Sequence, residues 1–166
     1  MSADYQITKV APDCWDKYIH DVIAVRTSAY EEWNGPKTQQ QQDEEAQAWL
    51  DKYADRRNRT LLVAIRNDAI AGYLTAYERE NGEFFMSHIG VRQDCKRQGI
   101  ARSLVRRYEQ IARDAGYRAL TTTTYNRFKE MLILLLQEGF DIDDVTRIKD
   151  PAEPRLLLRK DLKSTL

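Results

Sequence analysis

Three apolar runs separated only by Asn67-Asp68 and Asn81-Gly82 fill residues 61–91. Connections this short cannot carry a crossover, so Leu61–Ile65, Ile70–Tyr77 and Glu83–Val91 must lie side by side as an antiparallel meander. Leu61-Leu62-Val63-Ala64-Ile65 is apolar without alternation, as expected of a strand covered on both faces. Around this meander the pattern changes repeatedly. Tyr5–Val10 alternates and reads as an edge strand ending at Ala11-Pro12. Asp13 can cap a helix to about Trp33, with Trp15, Tyr18, Ile19, Val22, Ile23 and Tyr30 on one face, and Asn34-Gly35-Pro36 stops it. Gln39–Gln42 reads as a solvated loop before a second helix from about Asp43 to Arg56. A third helix is expected over Gly99–Ala115, closed by Gly116, and a fourth over Arg127–Glu138, ended by Gly139. Arg118–Tyr125, Thr146–Lys149 and Arg155–Leu162 supply the remaining strands. The order predicts an α/β (α+β) chain: one domain over residues 1–166, with a mostly antiparallel sheet of about seven strands and about four flanking helices.

The charges cancel, 26 Lys+Arg against 26 Asp+Glu, which argues against a general binder of nucleic acid or membrane surfaces. The longest apolar run, Met131–Leu136, is too short to span a bilayer. Met1–Gln6 has neither the basic start nor the apolar stretch of a secretory signal, so a reducing cytoplasm is the expected location. Cys14, Cys95, His20 and His88 do not stand at metal-ligand spacing, and no metal is expected.

Residues 91–107, VRQDCKRQGIARSLVRR, break the usual rule for a helix start. Helices open on Ser, Thr, Asp or Asn with acids in the first turn. Here the first turn is Ile100-Ala101-Arg102-Ser103, preceded by Lys96-Arg97-Gln98-Gly99. Its amide groups lack an obvious acceptor at the positive end of the helix dipole. Gly99 and Ala101 leave room for a bulky group to approach, which makes an anion site best suited to phosphate. Between Lys96 and Arg118 there are seven basic residues against Glu109 and Asp114. Arg102 and Arg106, at i and i+4, repel each other by a few tenths of a kcal/mol, a cost that a bound anion would offset. A solvated basic helix face is the plain alternative, and the missing cap, the glycine and the preceding strand count against it.

Lys96-Arg97-Gln98-Gly99-Ile100-Ala101 resembles the pyrophosphate loop of the GNAT superfamily of acyl-CoA-dependent N-acyltransferases, Arg/Gln-x-x-Gly-x-Gly/Ala. The order of elements matches over nearly the whole chain, and Gly139-Phe140 matches the Gly-Phe that follows the family's fourth helix. The resemblance implies acetyl-CoA as co-substrate, contacted by Val91, Lys96, Arg97, Gln98, Gly99, Ile100, Ala101 and Arg102. It adds Asn126, about two residues earlier than the family's usual Asn. Lys96 replaces a forked or amide contact with a point charge, which Arg97 can assist. Many members carry a tyrosine four residues before the Gly-Phe glycine, where it protonates the departing thiolate; here that position is Leu135. Two readings follow: a transferase whose proton donor is another group or water, and a non-catalytic acyl-CoA-binding domain. A small nucleic-acid-binding protein using residues 96–118 is a more distant third.

Acetyl transfer to an amine needs the neutral amine, whose ammonium form has a pKa of about 10.4 in a lysine. The thioester carbonyl also needs a hydrogen-bond donor, which the family takes from a bulged strand corresponding to Glu83–Val91. Gly90 suits such a bulge or a close backbone approach. Strict alternation places Glu83, Phe85, Ser87 and Ile89 on one face and Phe84, Met86 and His88 on the other. Family bases usually come from the first of these faces, so the resemblance makes Glu83, its one carboxylate, the candidate base and His88 a packed histidine on the other face; Tyr125 is a candidate proton donor to the thiolate. The acceptor, a small-molecule or protein amine, is expected between Tyr30–Tyr53 and the Asp150–Arg155 turn. Glu31, Glu32, Asp43, Glu44 and Glu45 are expected to favour a cationic one. The resemblance also allows a homodimer.

Overall fold

The computed structural model describes residues 4–162. Its sheet is made of β1 (Gln6–Val10), β2 (Thr60–Arg66), β3 (Ala69–Arg79), β4 (Glu83–Val91), β5 (Ala119–Tyr125), β6 (Asp141–Thr146) and β7 (Arg155–Asp161). The spatial order is β1-β2-β3-β4-β5-β7-β6, antiparallel throughout except for the parallel pair β4–β5. The meander forms as its turn residues dictate: Asn67 and Asp68 take φ of 51° and 61°, the left-handed geometry that matches strand twist in a tight hairpin.

Helices α1 (Trp15–Ala29) and α3 (Gln39–Tyr53) cover one face, with the short α2 (Glu31–Asn34) between them. Helices α4 (Ile100–Asp114) and α5 (Lys129–Gln137) cover the other. Two apolar layers result. Ile19, Ile23, Trp49, Val63 and Tyr73 fill the first; Leu74, Phe84, Ile100, Leu104 and Tyr108 lie in the second.

Some boundaries differ from the sequence reading. Asp13 lies in a 3-10 turn, Pro12–Cys14, and does not cap α1, which stops at Ala29. Gln39–Gln42 is the first turn of α3 and not a loop. Thr38 Oγ1 accepts from the Gln41 amide at 3.2 Å while the Gln41 side chain accepts from the Thr38 amide at 2.9 Å, a reciprocal cap. The sixth strand runs over Asp141–Thr146 instead of Thr146–Lys149. It is an exposed edge with a bulge between Ile142 and Asp144. Three aspartates there discourage pairing with another edge.

Two irregularities shape the site. β4 and β5 pair only from Glu83–Met86 to Ala119–Thr122, whereas β5 pairs with β7 along its whole length. Beyond Met86 the two parallel strands part. At the same level Thr75 faces His88 and Ala76 faces Met86, so Ser87 is an extra residue, a bulge. Hydroxyls hold it: Ser87 Oγ lies 2.8 Å from Thr75 Oγ1 and 2.5 Å from the Tyr53 hydroxyl, which is 3.0 Å from Thr75 Oγ1. The bulge therefore sits at Ser87. Gly90 is in regular register, and its role is the close approach: a Cβ there would lie 2.7 Å from the Tyr73 ring.

Candidate active site

A 3-10 turn, Gln93–Cys95, and Lys96–Gln98 carry the chain from β4 to α4. Gly99 is the N-cap at φ 83°, and no side chain caps the helix. Only Gly tolerates that φ freely, and a Cβ at Gly99 would find nothing nearer than the Tyr5 hydroxyl at 3.9 Å. The first amides of α4 therefore have no side-chain cap at the positive end of the dipole, a setting that fits a diphosphate. Arg97 also adopts a left-handed φ, 64°, which is uncommon for a residue with a side chain.

The side chains around this opening are placed individually. Lys96 Nζ donates to the Ala29 carbonyl at 3.1 Å and lies 5.9 Å above the Trp33 ring. Arg97 reaches Glu130 at 3.1 Å in a solvated pair. Gln98 accepts a hydrogen bond from Arg66. Val91 and Ile100 are buried in the layer under α4, Ala101 is half-buried, and Asn126 is exposed in the turn after β5.

Arg102 does not point its guanidinium at the opening. It donates to Glu138 and to Gln137 at 2.7 Å, while Arg106 donates to Glu138 at 3.0 Å. Arg106 and then Arg102 hold the Glu138 carboxyl below the usual carboxylate range. The repulsion between these arginines is thus offset by Glu138, not by a bound anion as the sequence suggested. Glu109 likewise takes Arg113 at 2.9 Å and Lys160 at 2.8 Å. Much of the basic face is neutralised within the protein.

Past the fork, the Ile89 carbonyl accepts from the Tyr30 hydroxyl. Tyr30 and Trp33 meet Phe128 edge-on, at 5.5 and 4.9 Å between ring centroids, and Tyr125 lies 6.2 Å from Phe128. Aromatic side chains from the α1–α2 corner and from the β5–α5 connection therefore meet across the separating strands. The Tyr125 oxygen accepts from Arg155 Nε at 3.3 Å and Nη2 at 3.1 Å. Leu135, 1% exposed, is part of the apolar layer under α4 and α5.

Glu83 is not brought to the fork. It stands where β4 and β5 are still paired, and its carboxylate accepts from Arg159 at 2.5 Å. His88 is on the face that strict alternation denied it. The extra residue puts Ser87 and His88 on the same side, and His88 stacks on Trp49 at 4.5 Å. Burial, then Arg26 and Lys52, lower its pKa to about 3.

This has a measurable consequence. Between about pH 3 and 6.5 the unfolded chain binds a proton at His88 that the native protein does not, so stability rises with pH across that window. In urea titrations, His88→Gln should flatten the loss of stability on acidification from pH 6 to 4 by about 1.4 kcal/mol per pH unit. Parallel pH profiles for the two proteins would show that the imidazole is not held neutral.

Of the expected acidic surface, Glu45 is neutralised, while Glu31, Glu32, Asp43 and Glu44 are exposed. Glu45 is shared by Arg26 at 3.1 Å and Lys37. Asp43 and Glu44 lie on the exposed side of α3, taken by Gln39 and Gln40 at 2.9 and 3.2 Å. Tyr30 was legible as a member of an apolar stripe, and it and Arg155 as the bounds of segments expected to shape the acceptor site; nothing in the sequence gave either an individual role.

Residues 25–131, more than half of the chain, match the model of the acetyltransferase (GNAT) family. The chain belongs to that family. A GNAT-family protein from Desulfovibrio desulfuricans superposes with a TM-score of 0.76 at 19% identity, covering 95% of this chain and 98% of its own. The ribosomal-protein-S18-alanine N-acetyltransferase of Escherichia coli gives 0.75 at 13% identity over 98% and 96%. A Bacillus anthracis protein solved with acetyl coenzyme A gives 0.61 at 15% identity over 68% of each chain. Likeness at such identities concerns the fold. Among curated proteins none matches the sequence. Among the described residues of this GNAT-family chain, no cluster of three or more His, Cys, Asp and Glu could hold a metal ion. Nor is any helix there long and apolar enough to cross a membrane.

Proposed function

We propose that this GNAT-family chain is an acetyl-CoA-dependent N-acetyltransferase, acting in the cytoplasm as a single domain over residues 1–166 and passing the acetyl group directly to an amine. The observation that carries the reading is the uncapped, open start of α4 beside the gap where β4 and β5 part. In that gap the unpaired edge of β4 offers backbone groups to an extended ligand. The amides from Gly99 to Arg102 would bind the diphosphate, with Lys96 and Arg97 supplying charge, Gln98 nearby, and Val91, Ile100 and Ala101 shaping the apolar wall. Arg102 contributes its backbone alone. Asn126 lies at the far side of the gap.

In the transfer a C–N bond forms and the C–S bond breaks; the amine loses a proton and the sulfur gains one. Amides of β4 past the bulge are placed to polarise the carbonyl. The Tyr125 oxygen already accepts from Arg155, which leaves its own O–H to donate to the leaving sulfur. Near His88 the cations Arg26 and Lys52 disfavour further positive charge, so an acceptor amine placed there would be biased toward its neutral, attacking form. Glu83, bound to Arg159 away from the fork, is not assigned a step.

The burial of Leu135 at the family's tyrosine position supports a second reading, coenzyme binding without turnover. An acetyl-CoA titration of thermal stability, followed by an amine panel scored by CoA release, tests both. Stabilisation with release on at least one amine is expected. Stabilisation without release on any amine favours the second reading, and no stabilisation overturns both.

A further inference from the structure

Among the described residues around the parted strands, Arg155 is a partly buried cation without an acidic partner. Arg155 opens β7, directly across from Tyr125, and is half-buried. Its neighbours are neutralised: Arg127 pairs with Glu153 at 3.1 Å, and Arg159 pairs with Glu83 at 2.5 Å and Asp161 at 2.8 Å. Arg155 makes no ion pair among the described residues. Its Nε–Nη2 edge is spent on the Tyr125 oxygen, at 3.3 and 3.1 Å. The Nη1–Nη2 edge has no partner among the described residues. Such an edge presents parallel N–H groups that match a planar carboxylate. Leaving a partly buried guanidinium unpaired is costly, and a ligand anion would remove that cost.

The surroundings agree in charge and in shape. Lys96 also lacks a carboxylate partner among the described residues and donates only to the Ala29 carbonyl. Arg26 and Lys37 share the single carboxylate of Glu45. Glu31 and Glu32 on α2 are exposed and form no ion pair with any of these cations. Beside Arg155 stands the ring of Tyr125, and next to it that of Phe128, packed against Tyr30 and Trp33; the Arg127 guanidinium lies over one side of the Tyr125 and Phe128 rings, 5.3 and 4.9 Å from their centroids. A rim of aromatic faces with an unsatisfied guanidinium suits an apolar or aromatic molecule bearing an anion. It does not suit a polycation.

We infer that the acceptor is a small amine that also carries a carboxylate on an apolar or aromatic body, and that Arg155 binds this carboxylate through its Nη1–Nη2 edge. The inference rests on the N-acetyltransferase reading and specifies its second substrate.

Matched probes test it. Phenylalanine and phenethylamine differ only by a carboxylate, as do 4-(aminomethyl)benzoate and benzylamine. In the wild type, the carboxylate-bearing member of at least one pair should react with kcat/KM about tenfold higher or more, the span of one charge-assisted contact. Arg155→Gln should bring that ratio close to one by raising KM for the carboxylate-bearing amine, and Arg155→Lys should restore part of it. Any effect of Arg155 acting through Tyr125 falls on both members of a pair and cancels in the ratio. A readout independent of turnover is 3-phenylpropionate, which has the carboxylate and no amine. It should raise the melting temperature of the wild type and not that of Arg155→Gln.

No preference for the carboxylate in either pair, a preference that survives in Arg155→Gln, or equal stabilisation of both proteins by 3-phenylpropionate would overturn the inference. Absence of CoA release over the whole amine panel would instead remove the transferase reading, and 3-phenylpropionate would still report on Arg155.

Discussion

Gly99→Glu should yield a folded protein that acetyl-CoA no longer stabilises. At a coenzyme concentration about a hundredfold above Kd, binding adds about 2.7 kcal/mol to the native state. For a domain of this size that corresponds to a rise of several degrees in melting temperature. The substitution has an intrinsic cost, because Gly99 sits at φ 83° and a side chain in that region loses about 1–2 kcal/mol. The space itself is open, with the nearest atom 3.9 Å from the added Cβ. The new carboxylate also meets the positive end of the α4 dipole, which returns part of the loss. It lies where the diphosphate should bind, and two anions cannot share those amides. Gly99→Ala is the control: it carries the same backbone strain without the charge and should keep much of its ligand response. Each variant is compared with its own unliganded melting point. Equal shifts in the wild type and Gly99→Glu would mean that the coenzyme binds elsewhere.

Gly72→Val should destabilise the protein and weaken acetyl-CoA binding together, although Gly72 is on β3 and not in the loop. A Cβ at Gly72 would lie 2.8 Å from Ile100 Cγ2, 3.2 Å from the Gly90 carbonyl oxygen and 3.4 Å from Leu104 Cδ1. The carbonyl belongs to the neighbouring strand and cannot yield cheaply, so the first turn of α4 must move outward. Overpacking of this kind costs about 1–3 kcal/mol. Ile100 is also the first residue of the uncapped turn, so its displacement drags with it the amides proposed to bind the diphosphate. Urea unfolding gives the stability and coenzyme titration the Kd. Ile100→Ala, which removes the Cγ2 that the new side chain meets, should recover part of the lost affinity in the Gly72→Val background. A destabilised variant with unchanged Kd would separate the seat of α4 from coenzyme binding.

Local chemistry explains what the sequence disclosed. The meander was legible because Asn67-Asp68 and Asn81-Gly82 permit only tight turns, and the uncapped start of α4 because a missing cap is a local property. The capping box at Thr38 and Gln41 was just as local, yet the run of glutamines masked it as a loop. Asp141–Thr146 was missed because an exposed edge strand has no apolar rhythm to read. The bulge at Ser87 left no trace in the alternation of residues 83–89, since its cause lies in Thr75 and Tyr53, far away in the chain. One unseen extra residue was enough to put His88 on the wrong face. The partner of Arg102 and Arg106 was hidden for the same reason: Glu138 comes from another helix, and no local pattern announces it. Side-chain destinations across long sequence separations were what the sequence withheld, and Tyr125 with Arg155 is the case of most consequence.

The short rung between β4 and β5 has a mechanical meaning. β5 is stitched to β7 along its full length, and β7 to β6, so these three strands form one leaf. The other leaf is β1 to β4. Strand pairing joins the leaves over the four residue pairs from Glu83–Ala119 to Met86–Thr122, with one further bond from the Arg118 amide to the Gly82 carbonyl, like a book held by a short spine. That is fewer residue pairs than join any other two neighbouring strands of the sheet, and the pages part on the side where the coenzyme is proposed to bind. A ligand lying between them would serve as binding thread, closing the volume it came to read.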